Sequence, residues 1–452
     1  MSDIIAAVST AWQVSAIGII RMSGPGCIEL ASQVFRPKFG SVETAKDRVL
    51  LLGHLLDKQD RLIDEVLLTV SHGPNSYTGE DTVEFQCHGS PAVLNAGLES
   101  LFARGARQAG PGEFTKRAFL NGRMDLTQAE AVIDLIHAES AEAAANAAGQ
   151  LGGAMMRKIA PVYNKLTDIM AHFHAVLDYP DEDIDPFELT SFQSDLWNAQ
   201  NALEQLLATY SRGQVLRNGI RAVILGKPNA GKSSFLNALA GFDRVIVTDI
   251  AGTTRDSVEE TVKLGRHLIR LVDTAGIRET DDQIERMGVE RAEAAVSQAD
   301  LAIYVCDGST ELTEEDLRAQ DAAMNAPRCI AILNKQDLDQ KVHTYDLPFE
   351  WIIPFCANTG DGMEQLEYTL DCLFDDSMPC DGSILTNTRQ AEAVARAARS
   401  ISRTLIALRQ GMTPDAVLVD VEAAMEALGE VTGQTMREEI TNRIFERFCV
   451  GK

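Results

Sequence analysis

The run RAVILGKPNAGKSSFLNALAG, Arg221 to Gly241, decides how the middle of the chain folds. It reads as a strand, then G-x-x-x-x-G-K-S from Gly226 to Ser233, then a helix. In that order the glycines let backbone N–H groups approach phosphate oxygens. The helix N-terminus adds positive potential, and Lys232 carries a point charge to the outer phosphates. Ser233 can ligate Mg²⁺. Asn229, Ala230, Gly231, Lys232, Ser233 and Ser234 are the candidate phosphate-binding residues.

Outward from this run, between about 215 and 375, the chain alternates strands and helices. IRAVILG, HLIRLVDTAG, LAIYVCDG, CIAILNK and WIIPFCA are apolar runs bounded by turns, the pattern of a parallel, doubly wound sheet. Upstream, residues 1–118 read as mixed α/β, with strands in SAIGIIRMSG, RLIDEVLLTV and DTVEFQCHG and helices in CIELASQVF and AVLNAGLESLFARG. From 119 onward strand signals vanish. One expected helix carries Leu196, Ala199, Leu203, Leu206, Leu207 and Tyr210 on a single face. After about 384 the chain is helical again, with Leu418, Val421, Met425 and Leu428 on one face and TMRE (Thr435 to Glu438) as a capping box. Helix, α/β unit, helix implies an α/β domain inserted into a helical one. The expected domains are 1–118, a helical segment 119–212, the nucleotide domain 213–377 and a second helical segment 378–452.

Two strand ends choose the nucleotide. In LVDTAG, Asp273 is placed to hold Mg²⁺ through water and the Gly276 N–H to sense the terminal phosphate, with Thr274 and Ala275 between them. In ILNKQD, Asn334, Lys335 and Asp337 close another strand, and Asp337 can accept from both the ring N–H and the exocyclic amine of guanine. Adenine lacks that donor pair, and a site built on such bonds discriminates by ~10⁴ or more. The expected ligand is GTP. FCANTG offers the Ala357 N–H to the guanine carbonyl, with Cys356 and Asn358 where Ser and Lys are more usual. TDIAGTTRD supplies the first switch loop, Thr248, Asp249, Ile250, Ala251, Gly252, Thr253 and Thr254, with Thr254 completing the Mg²⁺ shell. Ile277 stands where a water-orienting glutamine is common and cannot do that job. Arg278, Glu279, Asp281, Asp282 and Glu285 are the neighbouring alternatives.

The bulk numbers narrow the class. A formal net charge of -25 argues against unaided gripping of nucleic acid. Eight cysteines without C-x-x-C spacing read as reduced cytoplasmic thiols. No run of ~18 apolar residues is present, and the start MSDIIAAVST lacks the basic residues of a signal peptide.

End to end, the chain resembles the MnmE (TrmE) family of tRNA-modification GTPases. The likeness rests on GPNSYTGEDTVEFQCHGSP, PGEFTKRAFLNGRMDLTQAEAV, GKPNAGKSS, TDIAGTTRD, DTAGIRETDDQIERMGVERA, NKQD and the terminal FCVGK. It implies an N-terminal α+β folate-binding domain that makes a homodimer, a helical domain in two segments and an inserted P-loop GTPase domain. It implies work with the FAD protein MnmG, in a heterotetramer-type complex, to add an aminomethyl-type (carboxymethylaminomethyl) group to carbon 5 of the wobble uridine of certain tRNAs. The implied one-carbon donor is 5-formyltetrahydrofolate or a related tetrahydrofolate. K⁺ stands in for an arginine finger, held by Asn229 and main-chain oxygens of Thr248, Ile250 and Thr253, when two G domains meet. Glu285 matches the family's water-orienting glutamate. Arg21, Glu84, Arg123 and Lys452 match folate contacts, and Cys449 is implied near the reacting centre, with catalysis and packing of the tail both open as its role. Where the family carries a glycine-rich basic turn, this chain has STAWQVSA. tRNA is expected to be held mainly by MnmG, with Lys116, Arg117 and Arg123 as a local patch.

Two other readings compete: a ribosome-assembly or signalling GTPase that switches without chemistry on RNA, and a folate-dependent aminomethyltransferase regulated by a G domain. The first commonly appends a basic RNA-binding module, and the segment after 384 has no G-x-x-G loop amid basic residues. A C-terminal prenylation box is not expected, since Cys449-Val450-Gly451-Lys452 carries glycine and lysine where such a box has an aliphatic residue and a different last residue.

Overall fold

A computed structural model describes residues 3–178, 189–242, 260–272, 295–374, 379–435, 438–446 and 448–451. The N-terminal region supplies β1 (Ile5–Val8), β2 (Ser15–Ser23), α1 (Cys27–Val34), β3 (Phe35–Pro37), β4 (Leu50–Leu56), β5 (Leu62–Ser71), β6 (Thr82–Gly89), α2 (Pro91–Phe102), β7 (Arg107–Gln108) and α3 (Glu113–Leu120). Its strands form one sheet in the order β3-β4-β5-β6-β2-β1-β7. Alternation along the strands sends Ile20, Met22, Val66, Leu68, Val70, Val83 and Phe85 to one face, where α1 and α2 bury them. The register sets Arg21 opposite Glu84 on one side and Ala7 on the other. These three therefore share the opposite face, which also carries the exposed Ile17, Leu50 and Leu52.

Helices follow: α4 (Leu126–Ile136), α5 (Ala141–Leu151), α6 (Ala154–Asp178), α7 (Leu189–Ala208) and α8 (Tyr210–Asn218). The helix expected to run through Tyr210 is divided. Leu196, Ala199, Leu203 and Leu206 are buried along α7, but Tyr210 opens α8. Thr209 sits at the junction, its hydroxyl donating to the Leu206 carbonyl at 2.7 Å and accepting from the Leu385 N–H at 3.0 Å.

The α/β region holds β8 (Ile220–Leu225), α9 (Lys232–Phe242), β9 (Glu260–Leu264), β10 (His267–Leu271), β11 (Leu301–Asp307), α10 (Glu314–Met324), β12 (Cys329–Asn334), β13 (Ile352–Pro354) and α11 (Met363–Phe374). The sheet order is β13-β12-β11-β8-β10-β9. One face buries Ile220, Ala222 and Ile224 with Phe235 of α9 and Leu366 of α11. The other buries Val223, Tyr304 and Cys306 with Ala323 of α10. Helices on both faces make the sheet doubly wound. It is not wholly parallel, because β9 runs antiparallel to β10. Only Gly265 and Arg266 separate the two strands, and so short a connection can only make a hairpin.

The last helices are α12 (Thr388–Arg409), α13 (Pro414–Thr432) and α14 (Glu438–Phe445). Leu418, Val421, Met425 and Leu428 are buried along α13 as their spacing requires, and α13 packs along α6. In TMRE the Thr435 hydroxyl donates to the Glu426 carbonyl at 3.0 Å, and Met436 and Arg437 lie outside the described residues.

The chain divides into two compact units. One gathers Met1–Ile136, Gln150–Leu203 and Ala393–Lys452, and the other His137–Gly149 and Glu204–Glu392. Within the second, Asn146 of α5 accepts from the Gly382 N–H at 3.2 Å and donates to the Ile384 carbonyl at 3.3 Å. Gln214 of α8 reaches the Thr386 carbonyl at 2.9 Å. The chain leaving the α/β region is thereby stitched to the helices beside its entry.

Candidate functional site

The phosphate loop follows β8 and ends at the first residue of α9. Its backbone needs unusual conformations: φ is +146° at Gly226, +59° at Asn229 and +96° at Gly231. A Cβ at Gly226 would overlap the Val305 carbonyl, and one at Gly231 the Asn334 amide, so both positions require glycine. Lys232 Nζ folds back over the loop, donating to the carbonyls of Gly226 at 2.6 Å and Lys227 at 2.8 Å. Burial holds its pKa below the ordinary lysine value. An anion at the helix start would meet this ammonium and the α9 N-terminus together.

Residues of ILNKQD and FCANTG close on the same loop. Asn334 is 1% exposed, and its Nδ2 donates to the Ala230 carbonyl at 3.2 Å. Its Oδ1 is buried with no hydrogen-bond partner among the described residues. Lys335, at φ +64°, pairs with Asp307 at 2.6 Å. Asp337 lies within 3.2 Å of the Asn358 amide. Cys356 is buried and its N–H bonds the Asp361 carbonyl at 3.0 Å, whereas the Ala357 N–H donates to none of the described residues. A cleft of about 600 Å³ is bordered by Lys227, Asn229, Asp307 and Lys335. The structure thus brings Asn229 to Ser234, Asn334, Lys335, Asp337 and Ala357 to one end of the sheet. Thr248 to Thr254, Asp273 to Gly276, Ile277 and Glu285 lie outside the described residues.

Three residues here escape a reading by motif. Lys227 is a spacer in the loop pattern, yet its ammonium lies 2.8 Å from the fully buried Asp316 of α10. Asp316 also accepts from the Thr313 N–H at 2.9 Å and hydroxyl at 2.8 Å. Burial raises the Asp316 pKa, but Lys227 and Thr313 outweigh it and hold the carboxyl below its usual range. Asp307 ends the apolar run of β11, and a charge at the close of a fully buried strand is the trace it leaves in sequence.

In the N-terminal sheet, Arg21 Nε meets Glu84 Oε1 at 2.7 Å. The Arg21 guanidinium lies 5.3 Å from the Tyr77 ring centre and 5.7 Å from that of Phe114. Arg123 Nε donates to the Ser76 carbonyl at 3.1 Å, next to Tyr77 in the chain. The C-terminal segment reaches this neighbourhood: Val450 bridges Pro111, the Gly112 N–H donates to the Cys449 carbonyl at 3.2 Å, and Ser9 Oγ donates to the Gly451 carbonyl at 3.0 Å. Gly451 has φ +101°, and a Cβ there would overlap the Val8 carbonyl. The Cys449 thiol is exposed and unbonded to another cysteine, and Lys452 lies outside the described residues. Arg117 departs from expectation. It is only 8% exposed and tied to Asp3, Glu80 and Glu113, so it does not join Lys116 and Arg123 in a surface patch. Trp12 and Val14 of STAWQVSA are exposed.

A family model described as the MnmE helical domain matches residues 126–449, and one described as the GTP-binding protein TrmE N-terminus matches residues 4–123. The tRNA modification GTPase MnmE of Alkaliphilus oremlandii is 42% identical, over 100% of both chains. The chain belongs to the MnmE family of tRNA-modification GTPases. That of Clostridioides difficile is 40% identical over 100% of both chains, and that of a Thermoanaerobacter species 41% over 100% of this chain and 99% of its own. The G domain of the FeoB iron transporter of T. maritima covers 34% of this chain at 22% identity and a TM-score of 0.26, too low to bear on the fold. As a member of the MnmE family the chain is a GTP hydrolase acting in tRNA modification. Among the described residues no helix is long and apolar enough to cross a membrane.

Proposed function

We propose that this chain is a potassium-dependent GTPase that works with the FAD protein MnmG to place a carboxymethylaminomethyl-type group on carbon 5 of the wobble uridine of certain tRNAs, using a tetrahydrofolate one-carbon unit. The observation that carries the nucleotide half is the buried Asn334, whose Nδ2 donates to the Ala230 carbonyl and joins the end of β12 to the phosphate loop, and whose Oδ1 has no hydrogen-bond partner among the described residues. GTP is held by Asn229 to Ser234, Asn334, Lys335, Asp337, Cys356 and Ala357, with Thr248 to Thr254 and Asp273 to Gly276 completing the site. Mg²⁺ is taken by Ser233 and Thr254. Asn229, exposed at a positive φ, suits a K⁺ ligand together with Thr248, Ile250 and Thr253. A cation there neutralises transition-state charge as a guanidinium would, and Glu285 orients the water.

The folate half has its own support. Arg21 and Glu84 are paired on the sheet face flanked by Tyr77 and Phe114, and the tail carrying Cys449 docks beside them. The Arg21 bond takes only one lone pair of Glu84 Oε1, so both carboxylate oxygens can accept from the N–H/NH₂ edge of a pterin. Arg123 and Lys452 complete the contacts. The exposed Ile17, Leu50 and Leu52 on that same face suit a homodimer through residues 1–118. Residues 213–377 form the G domain, between helical segments 119–212 and 378–452. The decisive experiment is a tRNA modification assay in cytoplasm-like buffer containing MnmG, 5-formyltetrahydrofolate, GTP and K⁺, with each omitted in turn. Product in the absence of folate or of MnmG overturns the reading.

A further inference from the structure

The carboxylate of Asp337 has a neighbour that guanine recognition by motif does not use. Asn358 Nδ2 donates to Asp337 Oδ2 at 3.2 Å. Both partners sit on braced backbone. The turn carrying Asn358 is closed by the Cys356 N–H on the Asp361 carbonyl at 3.0 Å and the Gly360 N–H on the Cys356 carbonyl at 2.9 Å. The loop carrying Asp337 is tied to the same strand end, the Gln336 N–H reaching the Phe355 carbonyl at 3.3 Å. The amide therefore meets the carboxylate because the two loops are joined behind them.

We propose that Asn358 is a positioning residue that sets base specificity, by fixing the plane of the Asp337 carboxylate. The proposal rests on Asp337 being the guanine acceptor. The terminal torsion of an aspartate is broad, so an unbraced carboxylate rotates freely. A ring N–H and an exocyclic amine side by side need both oxygens in their own plane. A single N–H is satisfied by one oxygen over a wide range of rotation. Bracing the carboxylate therefore favours guanine over hypoxanthine, which has the ring N–H but no amine. A lysine at 358, the more usual residue, would bring a charge on a flexible stem, whereas the short amide gives one neutral donor with a fixed direction.

The test is binding of GDP and IDP to the full-length chain. Asn358→Ala is expected to weaken GDP by about 5-fold and IDP by less than about 2-fold, the loss of one hydrogen bond felt only by the paired donors. Asn358→Asp sets acceptor against acceptor and is expected to weaken GDP further, by about 10-fold or more. Equal loss of both nucleotides, or a lowered melting temperature with the GDP/IDP ratio intact, would make Asn358 a support of the turn and overturn the proposal. Asp337→Asn, assayed with GDP and XDP, separates the two levels. If it fails to favour XDP, the guanine reading itself fails. If it does favour XDP while Asn358→Ala leaves the GDP/IDP ratio unchanged, only the role of Asn358 falls.

Discussion

Lys227 stands at a position where the phosphate-loop pattern accepts any residue, yet it ties the loop to α10. Its ammonium and the Asp316 carboxylate form a pair that is almost wholly removed from water. Breaking one side of such a pair strands the other charge. Asp316→Ala also removes half of the cap on α10, where Thr313 and Asp316 bond reciprocally. The expected cost is about 3 kcal/mol, read as a lower melting temperature of the α/β unit. Lys227→Met with Asp316→Leu is expected to cost less than the two single changes added together, because the double variant leaves no buried charge. Gly226, Gly231 and Lys232 were legible from type and spacing alone. Lys227 was not, because its partner comes 89 residues later and nothing in local spacing names it.

Two elements show how tertiary contact reassigns what a local pattern suggests. FCVGK carries no periodicity of its own, and the fold docks Cys449 and Val450 along Pro111 and Gly112. Gly451→Ala is expected to undock the tail, through strain at a positive φ and overlap with Val8. Loss of tRNA modification with GTP hydrolysis retained would be the measured outcome, and unchanged modification would detach the tail from the chemistry. The α3 network is the second case. Arg107 holds the Asp3 carboxyl at about 2. Burial alone would raise Glu113, but Arg107, the Gly110 N–H and Arg117 outweigh it and hold it at about 2 as well. In the unfolded chain both groups titrate near about 4. The folded state then binds fewer protons, so the stabilisation is complete above about pH 4.5 and is lost as pH falls toward about 2. Glu113→Gln is expected to lower stability by about 2 kcal/mol at neutral pH and to flatten the acid limb, measured by hydrogen exchange of β1. The same ion pairs explain why Arg117, basic and on a helix, is withdrawn from the surface.

Across the whole molecule, the potassium reading makes a prediction that needs the complete chain. GTP turnover is expected to be at least about 10-fold faster in K⁺ than in Na⁺ at equal ionic strength, since a fitted cation replaces a guanidinium worth several orders of magnitude. Equal rates would remove K⁺ from the site. Sequence by itself determined the succession of mixed α/β, helical, α/β and again helical chain, and the glycine-rich loop between β8 and α9. Each of these is a matter of periodicity or fixed local spacing, which short-range sterics and backbone hydrogen bonding enforce. Only tertiary structure decided that β9 turns back antiparallel, that Arg21 pairs with Glu84, that Arg117 is buried, that Lys227 meets Asp316 and that Asn358 meets Asp337. Those facts depend on pairings across many residues of chain, where charge and hydrogen-bond partners are chosen by proximity in the fold rather than by neighbourhood in sequence.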